Sequence, residues 1–366
     1  MPYRRLNWKL PLLLYVATWL TTTFCRFDFD NFGENVLNKL LLSLCLSVSG
    51  ADSATQYWQV FGGQLWHAFL FSAALMFILT CHELGHYVQS CRYQLRSSLP
   101  FFIPMPFGPL GTLGAVIAMD DEVPHSRALF DIGIAGPLAG LVPTLIFLYY
   151  GISWSYIGPR QPGMLEYGDP LLFQWTTAWM FGSVPPDMKL YYHPVAFAAW
   201  AGLLITSLNL IPFSQLDGGH IFYAMLGRRS VPVVHCLFVA VMIAIAWFQL
   251  WHWSLILILI ALIGISHSPT ANDAVPLKLW QHCLGWATLM FVFIGFAPSP
   301  LTLDEEMPRK KPVWYCLETT ESVPDGRSEP DWQQGSVHSN AETSDCVSEP
   351  PSPTSTLLPF WQETAC

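Results

Sequence analysis

The sequence predicts an all-α polytopic membrane protein of about six to seven transmembrane helices. Three observations lead there. Of its 366 residues, 52% are hydrophobic and 12% charged, where soluble domains carry about 25% charged residues. Seven apolar segments fall at 10–25, 64–88, 128–150, 194–213, 231–250, 252–266 and 279–297, most of them near the ~20 residues that cross a bilayer as a helix. The 16 Trp, 24 Phe and 13 Tyr suit a bundle whose rings collect at the water interfaces. A simple soluble enzyme does not fit this composition.

Taken in order, the chain begins Met1-Pro2-Tyr3-Arg4-Arg5 and runs into the first apolar segment. No small-residue cleavage site follows, so the segment reads as a retained span and not as a signal peptide. Residues 36–48 are apolar but brief and contain Lys39, which favours a helix lying in the interface, with a re-entrant piece still open. The 252–266 segment is the shortest of the seven. With the N-terminus inside, Arg4, Arg5, Lys9, Arg92, Arg96, Arg127, Arg228, Arg229 and Lys278 face the cytoplasm, and Arg26, Lys39, Arg160 and Lys189 face out. That asymmetry obeys the positive-inside rule. It also sends the C-terminal tail outside, although Arg309, Lys310 and Lys311 favour the cytoplasm, so its side stays open. The loop 153–192 is too short for an added domain of ordinary size.

Charge divides the chain further. Residues 301–366 hold 4 basic and 12 acidic side chains, a net of −8, which leaves −1 of the total −9 for residues 1–300. This tail is rich in Ser, Thr, Pro and Glu without apolar periodicity, and reads as disordered. No basic surface for nucleic acid exists. The nine cysteines are odd in number and form no CxxC pair, so they suggest neither a disulfide framework nor a zinc ribbon.

The second segment ends Leu79-Thr80-Cys81-His82-Glu83-Leu84-Gly85-His86-Tyr87, an H-E-x-x-H motif on an apolar helix. Its i, i+4 spacing puts both imidazoles on one face, one turn apart, where they can ligate one Zn²⁺. Glu83 then stands beside the metal, placed to take a proton from water. The competing reading is a set of polar side chains snorkelling at a helix end. A His, Glu, His cluster in a membrane helix is costly unless something offsets it, and a metal does.

A catalytic zinc needs a third protein ligand and an open fourth position. The fourth segment leads into Leu208-Asn209-Leu210-Ile211-Pro212-Phe213-Ser214-Gln215-Leu216-Asp217-Gly218-Gly219-His220. Pro212 interrupts the helix and the Gly pair permits unusual backbone, so Asp217 is expected on irregular backbone at membrane depth. On the inferred topology it converges with His82 and His86. An ordinary Asp-Gly-Gly turn after a helix is the alternative.

With these motifs, the chain resembles the site-2 protease family of intramembrane zinc metalloproteases, in a compact form without an inserted PDZ domain. The resemblance rests on His82-Glu83-Leu84-Gly85-His86-Tyr87, and on Asn209-Leu210-Ile211-Pro212 followed by Leu216-Asp217-Gly218-Gly219, and covers roughly residues 60–275. It implies His82, His86 and Asp217 as ligands of one Zn²⁺ per chain and Glu83 as the general base. It also implies that Asn209 steadies the developing oxyanion, although an Asn can equally serve as a helix-packing amide. The organisation that follows is an N-terminal span and interfacial segment at 1–63, a membrane metalloprotease core at 64–275, a C-terminal span at 276–300 and the tail at 301–366.

Two stretches extend the resemblance. Residues 99–115 carry four prolines among aromatic residues and cannot form a continuous membrane helix. They are similar to the family's re-entrant Pro/Gly-rich loop, where extended backbone can receive an unwound substrate by strand addition; a rigid interfacial connector is the other reading. In Asp131-Ile132-Gly133-Ile134-Ala135-Gly136-Pro137-Leu138-Ala139-Gly140, the glycines Gly133, Gly136 and Gly140 allow close helix approach. The family places this helix beside the H-E-x-x-H helix. Asp131 reads as a capping or structural carboxylate ahead of a partner of the metal ligands. Residues 266–273 are similar to a His-Pro-Pro-Thr segment of some members but carry Ser268, and receive no role. His220 is the nearest spare histidine.

The implied activity is zinc-dependent endopeptidase cleavage of single-span or tethered membrane protein substrates, within or at the cytoplasmic edge of their transmembrane segments, typically after a first cut by another protease. The expected setting is the lipid bilayer of a bacterial inner membrane, with a plastid membrane left open. Two alternatives stand: a catalytically silent relative that binds membrane proteins without cutting them, and a di-iron desaturase or hydroxylase. The second lacks its His-rich boxes here, since no His-His pair occurs.

Overall fold

The computed structural model describes residues 8–26, 51–107, 110–118, 123–160, 165–185, 187–248, 250, 253–265, 270–298 and 302–303. The expected interfacial helix at 36–48, residues 266–269 and the tail beyond Leu303 lie outside the described residues.

The described chain is mostly helical. Helix α1 (Lys9–Arg26) is followed by α2 (Ala51–Arg92), a hairpin of β1 (Phe101–Pro104) and β2 (Thr112–Val116), and α3 (Ser126–Ser153). Then come β3 (Tyr156–Pro159), β4 (Leu165–Glu166), α4 (Leu171–Phe181), β5 (Met188–Tyr191) and α5 (Pro194–Asn209). Helix α6 (Asp217–Leu226) passes through a 3-10 turn into α7 (Ser230–Trp247), followed by α8 (Ser254–Ile263), α9 (Leu279–Gly295) and β6 (Thr302–Leu303). Every apolar segment picked out in the sequence has a helix within it. Helix α2 extends well beyond 64–88 at its N-terminal end, and α5 stops at Asn209, short of 213. Three stretches are long and apolar enough to cross a membrane: Phe61–Arg92, Ser126–Ser153 and Asp217–Trp247. Pro194–Asn209 and Leu279–Gly295 are shorter apolar helices.

Helix α5 is the centre of the bundle. Pro194 opens it with a preset φ, and the His193 Nδ1 accepts the Val195 backbone N–H. Its residues Val195 to Leu204 are all buried, and a helix apolar and buried on every side belongs inside a bundle. Helices α2 and α3 pack on it and most extensively on each other. Phe71 and Leu75 of α2, Phe130 of α3, Phe197 of α5 and Ile221 of α6 share the core. Helix α3 carries Pro137 and Pro143 in its interior yet continues, as membrane helices do when neighbours hold them.

The four-proline stretch is a two-stranded antiparallel hairpin, with Phe101 opposite Val116 and Pro104 opposite Thr112. The prolines fall where a ladder tolerates them: Pro104 at the end of β1 and Pro106 in the turn. Helix α1 clamps the hairpin, through Thr21 Oγ1 donating to the Gly111 carbonyl (2.8 Å) and Tyr15 edge-on to Phe102.

The remaining pairs join the loops at the other end of α3. Strand β3 pairs antiparallel with β5, and β4 with β6, Leu165 opposite Leu303 and Glu166 opposite Thr302. Helix α4, inside what the sequence presented as a plain loop, sits between these strands. At the hairpin end, Ala271 N–H donates to the Val123 carbonyl (3.0 Å) and Arg127 to the Pro276 carbonyl (2.7 Å), drawing 270–276 over the start of α3.

Candidate metal centre

His82, Glu83 and His86 are buried in the last third of α2. The i, i+4 spacing turns both rings toward α3, and the glycines of α3 make room for them. A Cβ at Gly136 would collide with the His86 ring at Nε2, Cδ2 and Cε1, and one at Gly140 would press on His82 Cβ at 3.0 Å and Nδ1 at 3.2 Å. The glycines expected to allow close helix approach therefore hold the imidazoles themselves.

Asp217 arrives from the other side. The expectation of irregular backbone is corrected here: Asp217 is the first residue of α6, with Leu216 as N-cap. The irregular segment is the one before it, residues 210–216, where Ser214 has φ 53° and its N–H donates to the Ile265 carbonyl (2.8 Å). That segment folds tightly under the helix start. A side chain at Gly218 would strike the Leu210 carbonyl oxygen and one at Gly219 that of Ser214, so the tertiary fit overrides the poor helix propensity of two glycines. The positive end of the α6 dipole faces the Asp217 carboxylate.

The donor atoms meet. His82 Nε2 lies 3.1 Å from Asp217 Oδ2, His86 Nε2 lies 3.2 Å from Asp217 Oδ1, and the two Nε2 atoms are 3.1 Å apart. Donors on one tetrahedral zinc, at bonds of about 2.0–2.2 Å, stand roughly 3.3–3.6 Å from one another. Each of these three separations, the two carboxylate ones being to different oxygens, is within a few tenths of an ångström of that spacing, and among the described residues the triad is the group able to hold a metal ion.

The tautomer agrees. His86 Nδ1–H donates to the Ile132 carbonyl (2.8 Å), which leaves the lone pair of a neutral ring at Nε2. That lone pair faces a carboxylate and a second imidazole nitrogen, an arrangement that needs a positive charge between them. Two nitrogens and one oxygen, with no thiolate, suit zinc with one position left open. Asn209, the last residue of α5, brings Nδ2 to 3.5 Å from His82 Nε2, so it borders the same space. His220 does not join the cluster: its Cβ is the atom a side chain at Gly133 would meet, at 2.9 Å.

Asp131 turns out to be a structural carboxylate. One oxygen accepts the Tyr93 hydroxyl and the other accepts Gln281 Nε2 (2.8 Å), while Gln281 Oε1 takes the Lys278 N–H (2.9 Å) at the start of α9. Burial first, then the hydrogen bond to Asp131 and its charge, push the Tyr93 phenol up to about 12. The end of α2, the first turns of α3 and α9 are thus tied one residue away from the carbonyl that orients His86. Tyr93 and Gln281 escaped the sequence reading. Gln281 carried a signal, an amide in an apolar span; Tyr93 carried none.

Comparison with known proteins follows the same residues. The family model for peptidase family M50 matches residues 70–249, close to half of the chain and containing the whole cluster. The chain is 26% identical over 238 residues to the probable zinc metalloprotease EGY2, chloroplastic, of Oryza sativa subsp. indica, covering 62% of this chain and 42% of the relative. It is 27% identical over 239 residues to the probable zinc metalloprotease EGY1, chloroplastic, of Arabidopsis thaliana, covering 63% and 43%. Over a shorter 156 residues it is 31% identical to EGY1 of Oryza sativa subsp. japonica, covering 41% and 27%. The chain thus spans about two fifths of the length of the first relatives it matches. The H-E-x-x-H motif and Asp217 both lie inside the matched segment, and through that segment the chain belongs to peptidase family M50, the site-2 protease family of zinc metalloproteases.

Proposed function

We propose that the chain is a zinc-dependent intramembrane endopeptidase acting on single-span or tethered membrane proteins. One observation carries this reading: three side chains from two helices, with 135 residues of sequence between His82 and Asp217, bring each imidazole Nε2 to within 3.1–3.2 Å of an oxygen of one carboxylate in the interior of an apolar bundle. The three long apolar helices and the shorter ones beside them support a multi-pass bundle, which we read as six to seven crossings with the cluster nearer the end where α2 stops and α3 starts. The core then corresponds to residues 64–275 and the last span to 276–300. The relatives' printed descriptions are chloroplastic, so a plastid membrane joins the bacterial inner membrane as a setting.

In this mechanism His82, His86 and Asp217 would hold the ion, and the Ile132 carbonyl keeps His86 in the tautomer suited to ligation. Bound zinc supplies Lewis acidity, lowering the pKa of water toward about 7 and polarising the scissile carbonyl. Glu83, buried on the same helix, takes the proton of the attacking water and passes it to the departing amine. Asn209 donates from Nδ2 to the carbonyl oxygen as negative charge develops there. The β1–β2 hairpin offers extended backbone to a substrate segment that has unwound, since a helical segment hides its peptide bonds.

Metal content of the detergent-purified protein against Asp217→Ala, with cleavage of single-span reporters by wild type and Glu83→Gln, tests the proposal. About one zinc per chain, lost with Asp217, and cleavage lost with Glu83 support it. A wild type that binds no zinc overturns it, whereas stoichiometric zinc without cleavage of any reporter favours the silent relative that binds without cutting.

A further inference from the structure

Helix α4 has no place in the metal site, and its surface is unlike that of a loop helix. Its eleven residues, Leu171–Phe181, contain no charged side chain. Leu171, Trp175 and Trp179 recur at i, i+4 and i+8, on one face, and are 41%, 56% and 74% exposed, while Phe173 on another face is fully buried against Tyr192. The approach to α4 is pegged to the bundle: Trp200 Nε1 donates to the Gly168 carbonyl (3.0 Å) and Tyr192 Oη to Asp169 Oδ2 (2.6 Å). The exposed tryptophans are therefore held outward by a fixed scaffold.

The exposed face is continuous with a second apolar strip. Trp179 lies 6.2 Å from the Tyr149 ring, and Tyr150 lies 6.0 Å from Trp154, at the end of α3. Below them Val142, Leu145 and Ile146 of the same helix are exposed, the flank a spanning helix turns to lipid. A cavity of about 340 Å³ lies in the seam, lined by Tyr149, Ser153, Trp179, Met180 and Phe181. At ~1.5 Å rise per residue an eleven-residue helix reaches only ~16 Å, far short of a ~30 Å hydrocarbon core. It falls in the stretch of chain between β3 and β5, two strands that pair with each other just after α3 and just before α5.

We infer that α4 is an in-plane membrane anchor: Leu171, Trp175 and Trp179 enter the lipid interface at the end of the bundle away from the hairpin, and the seam against α3 takes acyl-chain carbon. Tryptophan suits this depth because its ring is apolar and its N–H needs a polar neighbour. A largely apolar helix without basic residues binds through apolar area, so its docking is insensitive to anionic lipid. The anchor fixes how high the bilayer rides on α3 and so sets the depth of the metal cluster below that surface. This inference rests on the membrane-spanning reading above.

Depth-resolved fluorescence quenching in proteoliposomes tests it, using phosphatidylcholine brominated near the headgroup or near the chain ends. Trp286, exposed near the middle of α9, reports separately on the spanning reading. Trp175→Phe with Trp179→Phe is expected to remove a component quenched by the shallow bromines, and Trp286→Phe one quenched by the deep bromines. If the two α4 tryptophans are quenched by aqueous iodide and not by brominated lipid, while Trp286 responds to deep bromine, the anchor is overturned and the spanning reading stands. If Trp286 escapes both brominated lipids, the spanning reading fails and the anchor with it.

Discussion

Replacing Gly136 by alanine should empty the metal site without weakening the helix that carries it. In a helix interior alanine is more favourable than glycine by ~1 kcal/mol, so α3 loses nothing intrinsically. The new methyl, however, falls inside the His86 imidazole, against Nε2, Cδ2 and Cε1 at once. To restore a contact near 3.5 Å the ring must withdraw by roughly 1 Å or more. It has nowhere to withdraw without stretching the 2.8 Å bond to the Ile132 carbonyl, and a zinc ligand tolerates displacements of only about 0.2 Å. Loss of an orienting partner alone costs ~10–100-fold in metal affinity, and displacement of the ligand itself should reach at least the upper figure, ~2.7 kcal/mol. Gly140→Ala supplies the comparison. There the closest approach is 3.0 Å to His82 Cβ, a strain that a few tenths of an ångström relieves. Its zinc affinity should fall by no more than ~10-fold. Competition for zinc against a chelator of known affinity, with thermal melting as a check on folding, measures both. Wild-type affinity in Gly136→Ala, or a larger loss in Gly140→Ala, would show that the glycines of α3 do not shape the site.

Three further outcomes are expected. Glu83→Gln should keep the zinc and lower reporter cleavage by ~10²–10⁴-fold, the usual contribution of a positioned base; cleavage near the wild-type rate in a quantitative gel assay removes Glu83 from that role. Gly218→Ala should lose zinc as well, because the methyl strikes the Leu210 carbonyl oxygen and shifts the start of α6 that carries Asp217; metal analysis showing full occupancy would refute this. Tyr93→Phe should destabilise the fold by about 1 kcal/mol while leaving zinc bound, since Asp131 keeps its bond from Gln281. Because the Tyr93 pKa is raised from 10.0 to about 12, its contribution is complete below pH 10 and vanishes as pH rises through 12. The melting difference between the two proteins should close across that window, and a difference that persists above it contradicts the assignment.

What could be read in the sequence was what depends on local spacing. His82 and His86 share a face because four residues is one turn, and no tertiary information is needed for that. Gly136 and Gly140 were visible as small residues in an apolar run, and Asp217 as a carboxylate where few belong. What escaped depends on contacts distant in sequence. Two glycines after Asp217 argue for irregular backbone, yet the carbonyls of Leu210 and Ser214 pack so close to them that only glycine can continue there as helix. The prolines of 99–115 excluded a helix correctly but hid a strand pairing, because a ladder tolerates proline at its end and in its turn. Helix α4 is too brief to stand out from a connecting loop, and its tryptophans gain meaning only beside Tyr149. The bond between Gln281 and Asp131 spans 150 residues, and no pattern in either segment announces it.

The two-residue pairing of β4 with β6 has a consequence in parity. Glu166 and Thr302 stand opposite each other, so on the proposed topology they occupy the same side of the bilayer and the chain between them crosses an even number of times. On that topology α5, α7 and α9 would make three crossings, and α8 would have to be the fourth. Its ends agree: Trp253 Nε1 at its start donates to the Pro298 carbonyl past α9, and the Ile265 carbonyl just beyond it accepts the Ser214 N–H beside the metal cluster. Ten helical residues rise only ~15 Å, half of the ~30 Å hydrocarbon core. A crossing that short would draw the two leaflets toward each other. On that topology the bilayer would be thinnest along the flank that touches the Asp217 loop, which would shorten the path by which water reaches a peptide bond held in the membrane.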